Sequence, residues 1–356
     1  ISLFNMFLQN SFVVNKLKLN KKKCSNLYAR LSNVRCISEY SMTVDREVVN
    51  DRTCARYLVS ENIKENVDFD LKKGIDTFIN KSDLIKDEGR LDPLCKWACA
   101  QEGDDLDKIF CGTEFAGSRG TMRLIASTMI THNPRFVTSE NAWTVVAVKV
   151  GDVILLTEKS KKYGRDDDVS SYSGFKFEQY MTSEKPGGDA AIDNPVDNRP
   201  TFKKMMRSDL LSEGQSIGIC CTTDVDALDG DSSIELQTRP ISRDFSFFPS
   251  LKIVLQAEFS DIHTTVIGWK TANHVLKKVT KIPISNFKPI LNRADENSLA
   301  FLFTILRFTK NIMTSKDACE ITYDPSNGTV EFNDFSKEEA MNLLTPEFKK
   351  KFNLGD

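Results

Sequence analysis

Apolar and polar positions alternate most clearly in the middle of the chain. Trp143–Val150 (WTVVAVKV) and Val153–Thr157 (VILLT) flank Gly151-Asp152, the pattern of two strands joined by a tight turn. Ile217–Asp226, Ser233–Thr238, Thr264–Lys270 and Thr329–Phe332 also predict strands. Helical spacing appears in Leu91–Ala100 (LDPLCKWACA), where Pro93 sits near the start and its missing N–H does no harm. Phe175–Met181, Thr201–Leu211, Ser250–Glu258, Ala300–Asn311 and Lys337–Leu344 predict further helices. Arg165–Ser173 and Gly187–Pro200, rich in Gly, Asp, Asn and Ser, predict loops. Strand pairs flanked by helices, with no regular βαβ rhythm, predict a mixed-sheet α+β fold. No repeat and no low-complexity linker divides it.

Composition narrows the class. The 356 residues are within reach of one α+β domain, and 40% hydrophobic with 28% charged residues is ordinary for a globular chain. Lys+Arg is 48 against 50 Asp+Glu, so a wholly basic nucleic-acid-coating body is excluded and a local basic groove is not. Nine cysteines, an odd number with no CxxC pair, predict reduced and mostly buried thiols rather than a disulfide framework or a zinc site. No stretch is long and apolar enough to predict a membrane span. Residues 1–38 contain no acid, while Lys16, Lys18, Lys21, Lys22, Lys23, Arg30 and Arg35 are basic. That pattern fits either an organelle transit segment or, the preferred expectation, a strand at Phe12–Val14 followed by a basic loop. Residues 1–35 are expected to form a basic extension and residues 36–356 a single domain. The expected compartment is nucleus or cytoplasm, and the expected state a monomer.

The densest chemistry lies in Thr222–Thr238, TTDVDALDGDSSIELQT. In an extended strand, residues two apart share a face, so Asp224 and Asp226 point together with Val225 behind them. Glu235 and Gln237 share a face of the next strand, with Leu236 behind. The turn Leu228–Ser232 would make the strands neighbours and bring three acids together. Gathered carboxylates raise one another's pKa or hold a cation, and hard oxygen ligands suit Mg²⁺ or Mn²⁺. A solvated acidic turn is the alternative, and suits Asp229 and Asp231. An EF-hand fails on Leu228, and on Gly230, which comes one place late.

Several motifs occur in an order that resembles the DXO family of RNA 5′-end decapping and exonuclease enzymes. They are Arg119 in SRGTMRLI, Gly174-Phe175-Lys176-Phe177-Glu178-Gln179-Tyr180, Asp224-Val225-Asp226 and Glu235-Leu236-Gln237-Thr238. Gln256 in VLQAEF and Gly268-Trp269-Lys270 follow. Glu39-Tyr40-Ser41 and Phe69-Asp70-Leu71-Lys72-Lys73-Gly74 match the family's earlier stretches, so the resemblance spans roughly residue 36 to the end. It implies a two-sheet mixed β core flanked by helices, like the PD-(D/E)XK nucleases. It also implies Mg²⁺ or Mn²⁺ held by Glu178, Asp224, Asp226, Glu235 and the Leu236 carbonyl. Arg119 would meet a 5′ phosphate, with Gln256 near the scissile phosphate. Arg207, with Lys203 and Lys204 on the expected helix, would support the RNA backbone. The implied partners are RNA 5′ ends (capped, triphosphate, monophosphate or NAD-capped) and a 5′→3′ exonuclease.

Two positions depart from the family pattern. Asp224 stands where the family has Glu, and Gln237 stands where it has a Lys that would orient water and offset transition-state charge. Losing one such group commonly costs on the order of 10²–10³ in rate. Two function classes therefore stand side by side: a metal-dependent 5′-end hydrolase, or a weak or inactive pseudoenzyme that binds RNA 5′ ends or nucleotides or acts through protein partners.

Overall fold

The computed structural model describes residues 16–18, 27–81, 89–131, 141–159 and 169–355. Two sheets organise them. The larger runs Lys16–Lys18, Thr329–Asp334, Ala318–Asp324, Trp143–Val150, Val153–Glu158, Phe115–Ser118, Gln215–Asp224, Thr201–Ser212, Ala29–Met42, Val48–Val49. The smaller runs Phe69–Asp70, Val275–Pro283, Thr264–Lys270, Ser232–Pro240, Ala227–Asp229, Tyr57–Leu58, Thr182–Ser183. Both are mixed: Phe115–Ser118 lies parallel to both its neighbours, and Ser232–Pro240 lies parallel to Thr264–Lys270. The expected α+β class and two-sheet core are what the chain adopts.

Helices cover both faces of the larger sheet. Arg119–Thr131, Phe247–Ser260 and Ala294–Ile312 share a core with Phe115, Leu156, Met206 and Cys221. On the other face Asp92–Cys99 and Pro346–Lys351 close over Val146, Val148, Met205 and Cys220. Burial on both faces explains why Val153–Glu158 reads as a continuous apolar run rather than an alternation. The smaller sheet packs Leu236, Val266 and Val279 against Phe177 and Met181 of the Val169–Met181 helix. The eight cysteines among the described residues are all free, and four of them are buried.

Several expectations are corrected. Thr201–Ser212 is a strand, not a helix. Its Lys, Met and Leu favour a helix weakly. Pairing with Ala29–Met42 on one side and Gln215–Asp224 on the other outweighs that preference, since it buries Met205 in one core and Met206 in the other. Lys203 and Lys204 tolerate this because each meets an acid: Lys203 bonds Asp224, and Lys204 lies 3.2 Å from Glu39. Val169–Ser173 belongs to the helix, not to a loop. The span expected as one strand, Ile217–Asp226, ends at Asp224, and the short strand Ala227–Asp229 that follows belongs to the other sheet. Lys337–Met341 is shorter than expected. The expected strand Phe12–Val14 lies outside the described residues. Ala29–Met42 is one strand that spans residues 35 and 36, so the end of the basic extension leads directly into the larger sheet.

Candidate active site

The site forms where the chain leaves one sheet for the other. Asp224 ends a strand of the larger sheet, and Asp226 just precedes a strand of the smaller one. Val225 is anchored between them: its N–H donates to the Phe202 carbonyl at 3.0 Å, and its side chain packs with Phe202 and Leu228. The backbone N–H of Leu236 donates to Asp226 Oδ2 at 2.8 Å, which ties the aspartate to the Glu235 strand. The hairpin that brings these acids together is Ala227–Asp229 with Ser232–Pro240, not the longer strand pair expected.

Glu235 is the most heavily held of the acids. Arg119 Nη1 donates to its Oε2 at 3.0 Å, and Gln256 Nε2 to its Oε1 at 3.0 Å. Arg119 also reaches Ser260 Oγ at 3.2 Å. It opens its helix directly after Phe115–Ser118, the parallel neighbour of the Asp224 strand, so sheet order delivers it to the acids. Glu178 comes from the helix over the smaller sheet. That helix sits close because Gly268 has no side chain; a Cβ there would lie 2.5 Å from the Phe177 ring. Gly268→Ala is therefore expected to cost about 1–3 kcal/mol, the usual price of overpacking, measured by urea unfolding. Adding Phe177→Leu should recover part of that loss.

The charges sort into two kinds. Crowding protein favours the neutral form of Asp224, but Lys203, Lys81 and Arg119 outweigh it and hold that carboxyl well below the usual range. Burial, with the charges of Glu235 and Asp224, pushes Glu178 up to about 8. Burial, with Glu235 and Glu178, pushes Asp226 well above its ordinary value. Glu178 and Asp226 are thus acids short of positive charge. Among the described residues no three His, Cys, Asp or Glu side chains converge to metal-ligand spacing. The donor set is nonetheless all hard oxygen, the chemistry a small divalent cation takes. Glu178 and Asp226 already repel one another, so a cation fits this set.

Three polar atoms at the site are buried without a protein partner: Gln237 Nε2, Gln256 Oε1 and Arg239 Nε. Arg207 is not at the site. It faces Cys220, four register positions from Asp224, and bonds Asp209. Lys203 and Lys204 are engaged by acids, as described. Basic residues that the motifs did not single out do lie nearby. Arg123 is one helical turn from Arg119, Lys252 one turn from Gln256, and Arg239 two places from Gln237. Burial, with Arg123, Arg239 and Arg119 among the surrounding charges, holds Lys252 below its ordinary pKa. Spacing alone, i+4 on a helix and i+2 on a strand, would have found all three. A cavity of about 1380 Å³ opens elsewhere, lined by Arg30, His263, Lys288 and Arg293 among others, and it contains none of the site's carboxylates.

Residues 32–349 match the family described as RAI1 like PD-(D/E)XK nuclease. The chain belongs to that family. Among RAI1-like relatives, the decapping nuclease dom-3 of Caenorhabditis elegans is 28% identical over 316 residues, covering 82% of this chain and 77% of its own. The decapping and exoribonuclease protein Rai1 of Drosophila melanogaster is 24% identical over 288 residues, covering 72% and 74%. Solved RAI1-like structures share the fold. Scheffersomyces stipitis Rai1, in complex with (3′-NADP)+ and calcium ion, superposes with a TM-score of 0.72 at 15% identity, covering 97% of this chain and 100% of that one. Candida albicans Rai1, in complex with pU5-Mn2+, gives 0.71 at 14% identity, covering 95% and 99%. At these identities the likeness establishes the fold and not the ligands.

Proposed function

We propose that this protein is a divalent-cation-dependent hydrolase of RNA 5′ ends. The observation that carries the reading is the Glu178–Asp226 pair: two acids from different elements, each pushed up by burial and neighbouring acids. That arrangement is costly for a folded chain unless a cation joins it. Names of relatives that include decapping and exoribonuclease activity, and the manganese and calcium complexes of Rai1 structures, support the choice of cation and substrate. Glu178, Asp226, Glu235 and the Leu236 carbonyl would hold Mg²⁺ or Mn²⁺, with Asp224 beside them. When bound, the ion would lower the pKa of water and polarise a phosphate oxygen.

The chain's own groups supply the rest. Arg119 spends Nη1 on Glu235 and Ser260, and its remaining guanidinium donors would hold a 5′ phosphate oxygen. Gln237 Nε2 is a buried donor with nothing to bond, suited to a non-bridging phosphate oxygen. Gln256 fixes Glu235 through Nε2 and keeps Oε1 as an acceptor for a water or ribose hydroxyl. Arg123, Lys252 and Arg239 would hold phosphates further along the RNA.

The test is incubation of pure protein with 5′-triphosphate, 5′-monophosphate, capped and NAD-capped RNA, with Mg²⁺ or Mn²⁺ and then with chelator. Turnover abolished by chelator and restored by the ion is expected. Binding of those ends without product after long incubation would replace the hydrolase by a 5′-end binder, the class that Gln237 keeps in view.

A further inference from the structure

A site that gathers four acids and handles phosphate needs positive charge of its own, and Gln237 brings none. The Thr201–Ser212 strand does. Lys203 stands directly opposite Asp224 in the antiparallel ladder, and its Nζ donates to Asp224 Oδ1. The lysine keeps only 11% of its side chain exposed, whereas Asp224 keeps 54%. Thus the carboxylate, not the ammonium, is the open end of the pair.

Three contacts fix the backbone around the lysine. The Val225 N–H bonds the Phe202 carbonyl at 3.0 Å, which locks the residue before Lys203 to the residue between the two aspartates. Tyr40, opposite Lys203 on its other side, bonds Thr222 at 2.7 Å, two places before Asp224. The Lys204 carbonyl accepts from Thr223 Oγ1 at 3.4 Å. A long flexible side chain on a surface has none of this. Arg119 and Lys81 act on the same carboxylate only through their charge, since the hydrogen bonds that fix Arg119 go to Glu235 and Ser260; Lys203 is the cation that bonds it directly.

We propose that Lys203 is the fixed cation of this site: a positioning residue that acts through Asp224 and supplies, from the neighbouring strand, the charge missing at Gln237. The assignment rests on the hydrolase reading above. Asp224, shorter by one methylene than the family's Glu, is then matched to a lysine on the adjacent strand. The two departures from the family pattern become one compensated change. Charge in such a site acts over several ångströms, so it need not come from the same strand.

The test joins Mn²⁺ binding, followed by the loss of free-ion EPR signal, to turnover of 5′-triphosphate RNA. Lys203→Met keeps the aliphatic stem and removes the charge. It is expected to bind Mn²⁺ about tenfold more tightly, because a neighbouring positive charge is gone and Asp224 is released to the ion, and yet to turn over about a hundredfold more slowly. Tighter ion binding with slower chemistry is a split that a misfolded site does not give. Lys203→Arg should retain most of the rate. Adding Gln237→Lys to Lys203→Met should restore at least part of it. Unchanged or weaker Mn²⁺ binding in Lys203→Met, or a double variant as slow as the single one, overturns the assignment and leaves the hydrolase reading intact. A natural chain that takes up no Mn²⁺ overturns both. Should Lys203→Met fail to fold, Lys203→Gln carries the same comparison.

Discussion

Replacing Glu178 by Gln and Asp226 by Asn together is expected to lower hydrolysis of 5′-triphosphate RNA by at least about a thousandfold, the upper end of what removing one electrostatic contact costs. The same double variant is expected to be more stable than the natural chain in chelator at alkaline pH. The two effects have one cause. Burial, Glu235 and Asp224 push Glu178 up to about 8 from an ordinary value of 4.5. Asp226 is raised by burial and by Glu235 and Glu178. The folded chain therefore holds protons that the unfolded chain releases, so stability falls as pH rises. The contribution is intact below about 4.5 and is lost as the pH passes through about 8. The amides carry no charge to bury, so the variant's melting temperature should change less across that window. Thermal melts between about pH 5 and pH 9 check this. Millimolar Mg²⁺ should flatten the slope of the natural chain and leave the variant as it was. Equal slopes for both proteins in chelator would remove these carboxylates from the centre of the site.

Much of this was legible in the residues, and the failures share a physical cause. Trp143–Thr157 reads correctly because its turn carries Gly151, whose φ of +60° suits the reversal. The helices around Trp97 and Leu255 read correctly because each has a run of apolar positions at helical spacing, and the same signal caught the second half of the helix around Phe177. Thr201–Ser212 misled because an interior strand, buried on both faces, loses the alternation that marks a half-exposed one. Its lysines read as RNA contacts on a helix because nothing local shows that acids from Ala29–Met42 and Gln215–Asp224 wait on either side. The change of sheet between Asp224 and Ala227 was hidden for the same reason: two residues, Val225 and Asp226, cross between sheets that exist only through distant partners. Arg119 illustrates the other half. A motif names it, but only the structure shows that its ion-pair partner is Glu235. Motifs name the residues, but which acid meets which base is decided by strand order.

That pairing leads to the second large effect. Arg119 and Glu235 keep 12% and 10% of their side chains exposed, so the ion pair is shielded from screening by water. Arg119→Met removes the cation and leaves Glu235 with Gln256 Nε2 as its remaining side-chain donor. Breaking one side of a buried pair typically costs about 3–5 kcal/mol, because the surviving charge stays desolvated. A loss of that size should appear in urea unfolding at neutral pH in chelator. A divalent cation would offer Glu235 a new counter-charge, so Mg²⁺ should return part of the lost stability, and return more than it gives the natural chain. Affinity for 5′-phosphorylated RNA should not recover with it, because the ion replaces Arg119 as a partner of Glu235 but not as a donor to phosphate. Arg119→Lys separates the two roles further: it keeps the charge near Glu235, and should be milder in stability, while a single ammonium cannot reproduce a planar fork that holds Glu235 and Ser260 through Nη1 and leaves its other donors for a phosphate. If Mg²⁺ stabilises Arg119→Met no more than it stabilises the natural chain, then Glu235 does not bind the ion and the pair is a strut of the fold alone.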